Sequence, residues 1–334
     1  MDRQTKIIIG VLVLGGLSYA AYSQVKKDQN VGKAIAKADL PELKGTDDVD
    51  KISIKSEKGE IELEKKGEAW QLVKPVVAVA NQTNVKSLLD NMKEIKLEEV
   101  VANEADDALK KQYELDDTKG VHVVTSKGGE KKFDATFGKS GGRGNMVMLP
   151  GNKAIFAAKG YSGWMYAREA KDWRDKEIFK FDDANATEVR ITNPNGEFVF
   201  AKDGDKWTGK LKGKPIDRFD EEKAKDALRA MKNLFADDFA DGKPDAETGL
   251  DKPEGTIVIS LKDGSKYTLE AGKTSSGESR FARKKGDGTI FVIGSWPAGF
   301  VMANVDKFQK PLDAGAPPKH DDHEGMPGLP PGHP

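Results

Sequence analysis

The sequence predicts an α+β fold: a tandem repeat of two similar units, each a mixed, mostly antiparallel sheet with one packed amphipathic helix, behind an N-terminal transmembrane helix. Three observations carry this reading. Residues 49–181 and 182–313 repeat one pattern, apolar spacing within each copy switches from two residues to three and four and back, and a single uncharged apolar run extends from Ile7 to Tyr22. Repetition at a fixed long period is the signature of a duplicated folding unit.

The apolar run comes first. As a helix it would span about 24 Å, short of the roughly 30 Å hydrocarbon core unless Ser23, Gln24 and Val25 extend it. Arg3 and Lys6 supply the basic start of a secretory signal, but a tyrosine sits in each candidate cleavage site, Ser18-Tyr19-Ala20 and Ala21-Tyr22-Ser23. Signal cleavage needs small residues there, whereas Tyr19 and Tyr22 suit a membrane interface. Residues 1–25 are therefore read as an anchor or uncleaved signal. Lys26 and Lys27 balance the basic residues before the run, so orientation follows from the large soluble body behind it: one pass through a membrane, with the bulk outside the cytoplasm. Residues 26–48 read as a charged linker with room for a short helix across Val31 to Ala38.

Each copy then runs through the same elements. Ile52, Ile54, Ile61 and Leu63 alternate in the first, Val189, Ile191, Phe198 and Phe200 in the second, and each set turns at a glycine before reaching Trp70 or Trp207. Period-two alternation across a glycine predicts a hairpin. Val85, Leu88, Leu89, Met92 and Ile95 follow at helical spacing, answered by Ala224, Ala227, Leu228, Met231, Leu234 and Phe235. That spacing predicts one buried helix face. Val121 to Thr125 with Lys131 to Phe137, and Thr256 to Leu261 with Lys266 to Leu269, read as further strand pairs, and last strands reach Ile155-Phe156-Ala157 and Ile290-Phe291-Val292. Residues 314–334 hold six prolines and three of the four histidines, a composition that cannot bury enough apolar surface to order itself.

Composition excludes several functions. Charged residues reach 33% against a usual figure of about 25%, yet Lys plus Arg is 54 and Asp plus Glu 55. Without a basic excess there is no case for nucleic acid as a partner. The absence of cysteine removes thiol nucleophiles and thiolate metal sites.

The tempting motifs have plainer readings. Gly138-Lys139-Ser140 and Gly272-Lys273-Thr274 resemble the end of a phosphate-binding loop, but Phe133 and Tyr267 stand where its first glycine is required. Both are read as strand-ending turns. His320 and His323 have a metal-like spacing inside the proline-rich tail, and the solvated-tail reading prevails. His122 is the remaining histidine, no Gly-x-Ser-x-Gly is present, and no pair of carboxylates is singled out. The chain is thus expected to be no enzyme and to need no cofactor or metal. Trp70 and Trp207, being repeat-equivalent, are expected in the core. Tyr161, Trp164 and Tyr166 gather three aromatics in a short stretch and, if exposed, form a partner or glycan surface.

The opening Val49 to Ile54, Gly59, Trp70, Pro75 and Ala80, then Tyr113-Glu114-Leu115-Asp116, then Trp173 through Phe181 together resemble a bacterial family known as domain of unknown function 4340. Gly249-Leu250-Asp251-Lys252-Pro253 in copy two is close to that family's usual Gly-Leu-Asp-x-Pro, whereas copy one has Glu114 for the glycine and Thr118 for the proline. The resemblance implies a membrane-anchored extracytoplasmic protein, commonly encoded beside export systems related to gliding-motility ABC transporters. Its implied partner is an ABC transporter permease or a periplasmic auxiliary subunit, with membrane lipid engaged through the N-terminal helix and the chain acting as accessory or scaffold. The alternative is a glycan- or cell-wall-binding module. No catalytic residue is implied.

Overall fold

Alternation of side chains builds two antiparallel sheets of nine strands. The computed structural model describes Tyr19, residues 40–43 and residues 48–311. Apart from Tyr19, the expected anchor lies outside the described residues, as do the helix across Val31 to Ala38 and the tail beyond residue 313. Among those described, no helix is long and apolar enough to cross a membrane. The chain divides into two units at Asp175 and Lys176.

The strands of the first unit are β1 Lys51–Ser56, β2 Gly59–Lys66, β3 Ala69–Lys74, β4 Ala78–Val79, β5 Lys96–Ala102, β6 Val121–Lys127, β7 Glu130–Gly141, β8 Gly144–Met148 and β9 Ile155–Lys159. They lie in the order β4-β3-β2-β1-β6-β7-β8-β9-β5. Ile52 faces Leu63 and Ile54 faces Ile61 across the first hairpin, with Thr125 and Val123 on the other flank. All six are buried. The helix Gln82–Glu94 is capped by Asn81, whose side chain accepts from the Asn84 amide at 3.0 Å. It covers this face with Val85, Leu88 and Met92, each about 1.5–3 kcal/mol of apolar burial. Trp70 lies within β3, where Gln82 bonds both its backbone amide (2.8 Å) and its carbonyl (2.9 Å).

Sequence spacing suggested one helix per unit, and the structure has more. The helix Asp107–Gln112 and Leu115 pack with Val101, Ala102, Met146, Ile155 and Ala157 on the reverse face of the sheet. Burial on both faces explains why Ile155-Phe156-Ala157-Ala158 is a continuous apolar run.

In the second unit the strands are β10 Glu177–Lys180, β11 Ala186–Asn193, β12 Gly196–Asp203, β13 Lys206–Leu211, β14 Lys214–Pro215, β15 Asn233–Phe235, β16 Asp238–Phe239, β17 Gly255–Leu261, β18 Lys266–Ser276, β19 Ser279–Lys284 and β20 Phe291–Ile293. The nine-stranded order is β14-β13-β12-β11-β17-β18-β19-β20-β16, the first unit's order position for position. Asp220 caps the helix Glu221–Lys232, which buries Ala224, Ala227, Leu228 and Met231. Because this helix stops at Lys232, the helical spacing fails beyond it: Leu234 is buried on β15 but Phe235 is 52% exposed.

Each unit closes in the same way. Trp173, fully buried, brings the chain back to the sheet edge: the Asn81 amide donates to the Trp173 carbonyl, and the Asp175 amide to that of Val79, both at 2.8 Å. In the second unit Phe308 takes the place of Trp173; the Asp220 amide donates to the Phe308 carbonyl and the Lys310 amide to that of Arg218, again at 2.8 Å.

These closures move the boundary from the 181/182 read in the sequence. Strand β10 pairs with β15 and buries Ile178 and Phe179 in the second core. The segment in the matching place of the first unit is 40–43, where Leu40 and Leu43 pack against the first core. The linker expected over 26–48 therefore ends before Leu40. Two apolar residues in four are too few to show a period, which is why the sequence hid both segments.

Candidate functional site

The aromatic segment after β9 separates into core and surface. Tyr161 stacks on Phe137 with centroids 4.0 Å apart, and Tyr166 lies 4.7 Å from Tyr161. The Tyr166 hydroxyl donates to Asn91 Oδ1 at 3.1 Å, while Asn91 Nδ2 holds the Gly160 carbonyl at 2.7 Å. Burial pushes both phenols above their ordinary pKa. A platform of Tyr161, Trp164 and Tyr166 therefore does not exist. Trp164 alone of the three faces solvent, 65% exposed. The short helix Gly163–Tyr166 is the cause, since residues two apart on a helix point to different sides.

Sequence reasoning missed Arg168. Its guanidinium lies over the Trp164 ring at 4.9 Å from the centroid and over Trp173 at 5.4 Å. Burial lowers its pKa, against the opposing charge of Asp172. Arg168 Nη1 and Trp173 Nε1 are buried without a hydrogen-bond partner. Each such donor costs about 1–3 kcal/mol, a cost that cation–π contact of about 0.5–2 kcal/mol only partly offsets for the arginine. The four-residue spacing from Trp164 to Arg168 was the available signal.

A second polar group lies on the reverse face of the first sheet. His122 on β6 meets Asp134 on β7, Nε2 to Oδ1 at 2.8 Å, and Lys131 Nζ donates to the other carboxylate oxygen at 2.9 Å. Burial works against the charge on Asp134, but Lys131 and His122 outweigh it and hold the carboxyl below its usual range. The pair borders an open cleft of 360 Å³ shared with Asp107, Asp116, Asp117 and Thr136. Val124 opposes Asp134 in the first unit as Val258 opposes Thr268 in the second, so threonines 256 and 268 occupy the matching positions. The His–Asp pair thus breaks the repeat. It could orient an imidazole for proton transfer, but no hydroxyl among the described residues is bonded to His122 as a nucleophile would be. Among the described residues no cluster of three or more His, Asp or Glu side chains is set to hold a metal ion.

Neither glycine-lysine motif is a turn. Gly138-Lys139-Ser140 lies inside β7 and Gly272-Lys273-Thr274 inside β18. A Cβ on either glycine would collide with backbone, the Tyr113 carbonyl in one unit and the Thr248 carbonyl in the other. The glycines are kept for a close approach of two chain segments, not for phosphate.

No curated protein and no solved structure matches the chain. The family described as domain of unknown function (DUF4340) matches residues 70–253, which covers most of the first sheet, the closing Trp173 segment and the second unit as far as Pro253. That is more than half of the chain, and the protein belongs to this family.

Proposed function

We propose that this is a membrane-anchored extracytoplasmic scaffold protein, held by Ile7 to Tyr22 in the inner membrane with its bulk in the periplasm, and that it docks on the permease or an auxiliary subunit of an ABC-type export complex. The observation that carries the scaffold reading is the duplication itself. Two units of identical strand order preserve cores, closures and close approaches, while the His122–Asp134 pair is present in a single copy and has no bonded hydroxyl nucleophile among the described residues. A repeated sheet with a mixed-charge surface presents area for binding and no repeated chemistry. The export complex as partner comes from the family resemblance, and the apolar run supports the anchor. On this reading the chain is no enzyme and takes no cofactor.

The test is purification of the tagged full chain from membranes in a gentle detergent, with identification of what accompanies it. A transporter permease or its periplasmic subunit in stoichiometric amount is expected. Recovery of the chain without any envelope component contradicts the docking reading.

A further inference from the structure

The cleft beside His122 is open in one copy of the fold and filled in the other. Strands β7 and β8 set Thr136 opposite Met148, and the same places on β18 and β19 hold Glu270 and Arg283. The segment that closes over them is matched as well. The Tyr113 carbonyl stands against Gly138 as the Thr248 carbonyl stands against Gly272, and each is followed two residues later by a buried leucine, Leu115 or Leu250. In the second unit the Arg283 side chain, 20% exposed, spans this space. Its Nη1 donates to Asp245 Oδ2 at 2.8 Å, its Nη2 donates to the Leu250 carbonyl at 3.0 Å, and its Nε lies 3.6 Å from Glu270. Met148 is uncharged and can make none of these bonds. What stands there in the first unit is the 360 Å³ cleft, with an adjoining recess of 200 Å³ that reaches Lys55.

We propose that this cleft receives an arginine side chain from a partner protein, which supplies from outside the guanidinium that Arg283 supplies from within; the partner rests on the scaffold reading. Charge selects a cation. The lining brings Asp107, Asp116, Asp117 and Asp134 together against Lys55 and Lys110. Lys110 lies 3.6 Å from Asp107, and His122 and Lys131 hold Asp134, so Asp116 and Asp117 are left without an ion pair among the described residues. Geometry selects arginine over lysine. The occupant of the equivalent space is a planar fork that meets carboxylate and carbonyl in different directions at once, which a single ammonium does not. Leu115, Met148, Leu149 and Pro150 offer an apolar wall to the methylene stem. Arginine is also among the side chains that most often carry the binding energy of a protein interface.

The test titrates the full chain, in detergent micelles and isotope-labelled in histidine, with the peptide acetyl-Ala-Arg-Ala-amide and with the same peptide carrying citrulline, which keeps the shape of arginine without its charge. The His122 resonance, identified by its loss in His122→Gln, should shift saturably with the arginine peptide and far less with the citrulline one. Met148→Arg should fill the cleft from within and abolish the shift. Asp117→Asn, at an exposed position, should weaken binding severalfold, with melting curves as the control for folding in both variants. No saturable shift with arginine, an equal response to citrulline, or binding undiminished in either folded variant overturns the inference. An equal shift with magnesium ion also overturns it, since the cleft would then hold any cation. Purification from membranes separates the cleft from the scaffold reading. A partner recovered with wild type and lost with Met148→Arg supports both, one recovered equally with the two chains refutes the inference alone, and none recovered with wild type refutes the scaffold reading whatever the peptide does.

Discussion

The backbone amide of Lys139 donates to the carbonyl of Tyr113 at 2.9 Å, which fastens the turn after the Asp107–Gln112 helix directly to strand β7. Contact this close is possible because residue 138 has no side chain, and Gly272 leaves the same room for Thr248 in the second unit. Alanine at either glycine should cost about 1–3 kcal/mol or more, because the atom it meets is backbone and cannot rotate away. Gly141→Ala, in the same strand with nothing within 4 Å, is the control and should be near neutral. Denaturant melts of the three variants decide it.

Glu114 holds a left-handed backbone, φ 57°, at the place where the second unit has Gly249 at φ 76°. A side chain in that region costs about 1–2 kcal/mol, while a glycine gives back about 0.4–1 kcal/mol through the greater freedom of the unfolded chain. Glu114→Gly should therefore be neutral or stabilising by up to about 1 kcal/mol. A lower melting temperature in this variant would mean that the Glu114 side chain supports the turn.

Much of this was legible in the sequence because it rests on periodic residues. Ile52, Ile54, Val189 and Ile191 announced their hairpins, Val85, Leu88 and Met92 their helix, and Trp70 and Trp207 their burial by standing at equivalent points. What stayed hidden depends on contacts between segments distant in the chain. Strand β10, the Leu40–Leu43 segment and the edge closures at Trp173 and Phe308 are short and carry no period. The candidate sites show the same limit. Composition drew attention to three clustered aromatics, but the turn of the Gly163–Tyr166 helix sorts Trp164 outward from Tyr166, Tyr161 before that helix stacks inward on Phe137, and the pairing of His122 with Asp134 depends on the register of β6 against β7.

Asp134 should make stability depend on pH. Its carboxyl is held below the ordinary value by Lys131 and His122 in spite of burial, so the folded state binds the proton less readily than the unfolded chain. The contribution is then fully present above the ordinary carboxylate pKa and is lost as pH falls through the lowered one. Asp134→Asn should cost about 1 kcal/mol near neutrality, and the gap from wild type should close below about pH 4. A gap that persists unchanged into acid would show that the substitution acts through packing alone.

Truncation tests where the second unit starts. A fragment of residues 176–311 keeps β10 with its partner β15, and one of residues 182–311 removes Ile178 and Phe179 from the core. Loss of two such side chains costs several times the roughly 1 kcal/mol that most single substitutions do. The longer fragment should give a cooperative melt and dispersed amide resonances; the shorter should be markedly less stable. Equal stability of the two would place β10 outside the folding unit.

A periplasmic scaffold requires both units to stand on the outer side of the membrane that anchors the chain. Spheroplasts carrying the full chain, treated with protease and then fractionated with an alkaline wash, answer this directly. The predicted result is a chain that stays with the washed membrane and whose units are digested from outside in intact spheroplasts. A chain released by the wash, or one whose units resist protease until the spheroplasts are lysed, would contradict the membrane-anchored periplasmic scaffold.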